Sequence, residues 1–214
     1  MITVNKFWQI FSDSFKKVKE VQYPSKSFID IYRYNRTYTE FTNRVYDKIF
    51  SEIVAGINAI PEQSKHILEL NVFGDQRRLD HYFSFSQNGN SFNIAIEQEN
   101  SFTQNVCNEE IPKLLELDKS GKSDISVLVW GYNVQLQNVN PEQKVTKIID
   151  CLRQNDVKLN GRWLVILGPG YFSGYQDYLN ILMNNNYDFL AYEIDKNTLE
   201  FKELERLNTV QELL

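Results

Sequence analysis

Hydrophobic and polar positions alternate along Leu79–Ser86 and again along Ser91–Glu99, with Asn88-Gly89 between the two runs. Alternation of this kind predicts half-buried strands, and Asn-Gly tolerates the positive φ angles that a tight hairpin turn needs. The stretch therefore reads as a β-hairpin. On its first arm Asp80, Tyr82 and Ser84 share a face, with His81, Phe83 and Phe85 on the other. On its second arm Asn93, Ala95, Glu97 and Glu99 share a face, opposite Phe92, Ile94 and Ile96. Because side chains alternate across a strand, Glu97 and Glu99 point the same way, about 6–7 Å apart along it.

Helical spacing dominates before the hairpin. Phe7, Trp8, Ile10, Phe11 and Phe15 recur at helical intervals within residues 1–28, and Pro24 stops them. This segment is predicted to be an N-terminal helical extension that packs on the body or offers a docking face to a protein partner or a second copy. Phe41, Val45, Ile49, Ile53 and Ile57 form a stripe within Ile29–Ile60, which Pro61 closes. His66–Phe73 is an extended run. After the hairpin a helix is expected over 105–118, starting near Glu109 or Glu110 with Pro112 in its first turn.

Ile125–Tyr132 and Arg162–Leu167 are apolar on both faces, as buried parallel strands are. Asn140-Pro141-Glu142-Gln143 opens the helix between them, which ends near Asn155. Strand, helix, strand implies a parallel crossover. Gly168-Pro169-Gly170 reads as a tight turn, with a nucleotide-binding loop as the weaker alternative. Tyr175–Asn185 reads as a helix, Asp188–Ile194 and Thr198–Leu204 as strands around Asp195-Lys196-Asn197, and the C-terminus as helical.

Asp80 and Glu97 both lie near the open end of the hairpin, so matching parities would gather Asp80, Glu97 and Glu99 into one acidic cluster. Like charges at close range need compensation, and a hard divalent cation supplies it best, since Mg2+ prefers carboxylate oxygens and retains waters. Asp80, a turn, and then Glu97-x-Glu99-Asn100 after an apolar run resembles the PD-(D/E)XK nuclease superfamily over roughly residues 38–132. The pattern of that superfamily is an Asp on one strand and an acid, one spacer and a Lys on the next. Glu99 stands where Lys is usual, as in the minority of restriction endonucleases that have Glu-x-Glu there and remain active.

The resemblance implies an α/β fold, a restriction-endonuclease-like mixed sheet (helix, β-hairpin, helix, strand) flanked by helices, with extra C-terminal α/β elements. It divides the chain into the extension at 1–28 and one domain over 29–214. It further implies Mg2+ (or Mn2+) as cofactor, DNA as partner, and phosphodiester hydrolysis by a metal-activated water leaving a 5′-phosphate. Asp80 and Glu97 would hold the metal, supplemented by Glu40 on the preceding helix, and Glu99 would bind it too or position the attacking water. Lys113, standing in for the motif lysine, or Arg78 would offset charge on the attacked phosphate, and Arg77 and Arg78 would contact DNA. The alternative is a catalytically inactive member that keeps the fold as a binding or regulatory protein.

Composition sets limits. Of 214 residues 42% are hydrophobic and 14% aromatic, enough for a substantial core. The net charge of −5 does not advertise nucleic-acid binding, although metal-binding acids contribute to it. The chain has two histidines and two cysteines, too few for a zinc site of those ligands or a disulfide framework. Cys107 and Cys151 are expected to be buried thiols of a cytoplasmic protein. No signal-peptide pattern or membrane-length apolar run is read. Gly121-Lys122-Ser123 lacks the earlier glycine and the following helix of a phosphate loop.

Overall fold

The computed structural model describes residues 2–27, 30–31, 35–71, 78–99, 106–132, 140–155, 158–169 and 189–207. Helix α1 (Val4–Gln22) opens the chain; the Thr3 hydroxyl caps it by accepting from the Lys6 N–H. Its buried stripe of Phe7, Trp8, Phe11, Phe15 and Val18 packs on α2 (Asn35–Gly56), which turns Tyr38, Phe41, Val45, Tyr46, Ile49 and Ile53 inward. Edge-to-face ring pairs, Phe15 with Phe41 and Phe11 with Tyr46, seal the helix pair. The stripe that could have served as a docking face is thus part of the chain's own core.

Strands β1 (Lys65–Leu70), β2 (Leu79–Gln87), β3 (Asn90–Glu99), β4 (Ile125–Tyr132), β5 (Arg162–Pro169), β6 (Leu190–Ile194) and β7 (Phe201–Glu203) form one sheet in sequence order. The outer pairs are antiparallel, and the central pairs β3–β4 and β4–β5 are parallel. Helices α3 (Glu110–Lys119) and α4 (Pro141–Gln154) connect the parallel strands. This is an α/β architecture: a seven-stranded mixed sheet flanked by helices. Pro112 sits in the first turn of α3, and Asn140 caps α4 by accepting from the Glu142 N–H. The hairpin turn has φ of 51° at Asn88 and 79° at Gly89, the left-handed region that this pair was expected to adopt.

Two expectations change. The first concerns Gly168, which continues β5 instead of turning: it pairs with Gly131, and a Cβ there would run into the Phe189 ring. That ring is wedged between Phe11 and Phe15, so close approach explains the glycine. The second concerns Cys107 and Cys151, which form a disulfide linking the turn before α3 to α4. They are not the free thiols that the composition implied. The helix expected over Tyr175–Asn185, Gly170, Val72 and Phe73, and most of the C-terminal segment lie outside the described residues. No helix among the described residues is long and apolar enough to cross a membrane.

Gly168→Ala should lower stability by about 1–3 kcal/mol, the usual cost of overpacking. Urea denaturation should show a lower midpoint at an unchanged slope.

Candidate metal centre

The β2–β3 register sets His81 opposite Ile96 and Phe83 opposite Ile94. These side chains belong to the face under α2, where Tyr46 stacks on His81 and Phe50 meets Phe83 and Phe85. The alternate residues therefore belong to the other face, covered by α3. There the Tyr82 hydroxyl donates to the Lys122 carbonyl just beyond α3.

At the open end of the hairpin, Asp80 Oδ2 accepts from the Gln98 N–H at 2.7 Å. Lys113 Nζ, reaching down from α3, lies 2.9 Å from Glu97 Oε1 and 2.5 Å from Glu110 Oε2, and donates to the Arg78 carbonyl at 3.1 Å. Glu97 is fully buried, at 0% exposure, and neither of its carboxyl oxygens has a well-aligned hydrogen bond. Beside Asp80 a cleft of about 420 Å³ opens, lined by Thr39, Thr42, Asn43, Arg78, His81 and Gln98 among others.

Among the described residues one ammonium faces three carboxyls, an excess of negative charge. The most deeply buried acid takes up the difference. Burial first, then the Asp80 charge, pushes the Glu97 carboxyl up to about 11, so Glu97 holds a proton at neutral pH. Burial also raises Asp80, against the pull of the Gln98 N–H and the Lys113 charge. Burial works against the Lys113 ammonium, but Glu110 and Glu97 outweigh it and raise the amine, which stays charged.

Asp118 is equally buried and behaves differently. Its oxygens accept from the Asn160 and Gly161 N–H groups and from Trp163 Nε1, which marks it as a structural acid. Glu97 has no such set of donors: the Lys113 ammonium is close, but neither carboxyl oxygen has an aligned hydrogen bond, and a buried carboxyl so thinly partnered is suited to receive a cation.

The predicted site residues do not all converge. Asp80, Glu97 and Lys113 are brought together. Glu99 shares the Glu97 face at the end of β3, opposite Trp130, and is half-buried. Glu40 is not brought to the cluster: it is exposed and pairs with Arg36 one turn away at 3.0 Å, because its helical neighbours Thr39 and Asn43 are the ones turned to the cleft. Arg78 is exposed, pairs with Glu69 at 3.2 Å, lines the cleft and lends its carbonyl to Lys113; Arg77 lies outside the described residues.

Glu110 is an unforeseen member, three positions before Lys113 and so on the same helical face, a spacing that could have flagged it. As the side chains lie, no group of three or more His, Cys, Asp and Glu among the described residues stands in metal-holding geometry. No family model and no curated protein matches the chain.

The two histidines of the chain form a hydrogen-bonded line at the wall of the cleft. Asp47 Oδ1 lies 2.8 Å from His66 Nδ1, and His66 Nε2 lies 3.1 Å from His81 Nδ1. A carboxylate only accepts, so a neutral His66 carries its proton on Nδ1 and receives one from His81 Nδ1. Burial lowers His66, and burial together with His66 takes His81 down to about 3.

Two outcomes follow. The first concerns pH. A carboxyl with a raised folded pKa contributes stability below its ordinary value of 4.5 and loses it as pH climbs toward about 11. In EDTA, Glu97→Gln should therefore melt progressively higher than the native chain as pH rises from 5 to 9, roughly, with little difference near the acid end. A difference independent of pH would contradict a buried proton on Glu97. The second concerns tautomers. Nitrogen-15 NMR should find both imidazoles protonated on Nδ1, with His81 still neutral near pH 5, well above its value of about 3.

Proposed function

We propose that this protein is a Mg2+-dependent nuclease that hydrolyses DNA phosphodiester bonds, built on a restriction-endonuclease-like version of the α/β fold. The order α2, hairpin, α3, β4 supports the fold. The observation that carries the activity is Glu97, fully buried, with both oxygens lacking aligned hydrogen bonds, beside Asp80 and under a single lysine.

The residues fit a hard cation: Asp80 and Glu97 offer oxygen donors at one end of the hairpin, and Glu99 follows on the same face. When bound, such an ion supplies positive charge to phosphate oxygens and makes a water more acidic. The protein's own part is orientation and charge. The Gln98 N–H fixes one Asp80 oxygen at the mouth of the hairpin. Glu97 would hold such an ion as the deprotonated carboxylate, so binding would release a proton. Lys113, held in place by Glu110 and the Arg78 carbonyl, keeps a fixed positive charge where a phosphate approaching Asp80 would develop negative charge.

One observation favours the alternative of a non-catalytic binding protein. Lys113 already bridges Glu97 and Glu110, a partly self-compensating set that needs no metal to persist.

Plasmid cleavage with Mg2+ or Mn2+ separates the two. Asp80→Ala should reduce cleavage by about 100-fold or more, the scale of several kcal/mol of lost charge stabilisation. It should also abolish the calorimetric heat of Mn2+ binding, which the native chain shows together with proton release. Equal cleavage by both chains, or no Mn2+ heat in the native one, removes the nuclease reading.

A further inference from the structure

Strands β3 and β4 end side by side, with Glu99 opposite Trp130. From α4, Lys144 Nζ lies 3.8 Å from the Trp130 ring centroid and donates to the Gly131 carbonyl at 2.7 Å. Lys147, three positions on, lies 5.9 Å from the same ring. Two like charges this close on one helix repel. Three other helical cations have partners within one turn, Lys48 with Glu52, Arg36 with Glu40 and Arg153 with Asp150. Among the described residues, neither Lys144 nor Lys147 is ion-paired with a carboxylate. Burial, helped by the Lys147 charge, draws the half-buried Lys144 amine down to about 8, a penalty that a nearby anion would relieve.

The chemistry of the pair is specific. The indole face holds both ammonium groups by cation–π attraction. Gly131 engages one of the three N–H bonds of Lys144, leaving two to donate. An acceptor with several oxygens and at least one negative charge matches that set.

We infer that Lys144 and Lys147, on the Trp130 platform, form a seat for a phosphate oxyanion, supplied by a DNA backbone or by free phosphate. This rests on the nuclease reading for its role. Trp130 is one strand, about 4.8 Å, from Glu99, so a phosphate on the seat is a neighbour of the one presented to Asp80 and Glu97. The seat then sets which stretch of the substrate strand lies over the acids, and Lys144 acts as a positioning residue.

The test is binding without metal. A fluorescein-labelled single-stranded oligodeoxynucleotide is titrated with the full chain in EDTA and followed by anisotropy at several salt concentrations, with inorganic phosphate as competitor. Lys144→Met should weaken binding about tenfold and reduce the slope of log affinity against log salt by about one. Lys144→Arg should stay within about threefold of the native chain, which a purely structural role of the amine would not require. Lys147→Met, on an exposed position, should weaken binding about threefold and carries the test if Lys144→Met melts early.

Competition by phosphate identifies the free anion as sufficient. Absence of competition, with the lysine dependence intact, assigns the seat to the DNA backbone. Native affinity and native salt slope in Lys147→Met, and in a Lys144→Met chain that melts normally, overturn the seat. Because Mn2+ heat and cleavage report on Asp80 and Glu97 while this binding is read in EDTA, either conclusion can fail without the other.

Discussion

The pairing register between β2 and β3 decides on which side of the sheet each residue of the hairpin stands. His81 faces Ile96 and Phe83 faces Ile94, so the aromatic residues lie under α2 and the acids lie under α3. A slip of β2 by one residue would turn its two faces over while β3 stayed in place. It would drive Asp80 into the layer of Tyr46 and Phe50, away from Glu97, and push Phe83 and Phe85 toward α3. Neither layer could accept the other's side chains. The ring packing that stabilises the fold and the convergence of the carboxyls therefore depend on the same alignment, fixed at its closed end by Asn88 and Gly89.

Within that frame the carboxyls are held under tension. A buried acid with no aligned hydrogen bond is costly, and removing the Lys113 ammonium beside it would be costlier still. Lys113 is consequently a stabilising residue of this cluster. Its place is set by three contacts from three segments: Glu97 on β3, Glu110 on its own helix and the carbonyl of Arg78 before β2. The contrast with Asp118, equally buried and fully satisfied by donors, shows that this fold can accommodate an acid comfortably when the role is structural.

Most of the architecture was legible in the sequence because it rests on local periodicity. Ile125–Tyr132 is a strand end to end, the Asn140-Pro141 start caps its helix, and the hairpin arms differ from expectation by a residue. What escaped depends on contacts distant in sequence. The pairing of Asp80 with Glu97 followed from parity, but the exposure of Glu40 did not, because a helix shows which residues share a face without showing which face the sheet takes. Gly168 looked like a turn because its reason, the Phe189 ring, comes twenty-one positions later. Glu110 was visible only as a helix start. The cation pair on Trp130 joins a strand to the helix that follows it, and no spacing rule announces that.

The Cys107–Cys151 cross-link spans 44 positions and encloses α3 and β4. Everything between the helix that carries Lys113 and the helix that carries Lys144 is therefore a closed ring of chain. Closing a ring of that size removes conformations from the unfolded ensemble and favours the folded one by about 4 kcal/mol on a chain-entropy account. That is a large share of the 5–15 kcal/mol or so typical of a whole domain. The oxidised and reduced proteins share one sequence but differ in how tightly α3 and α4 are kept together, and the choice of thiol reagent during purification selects between them.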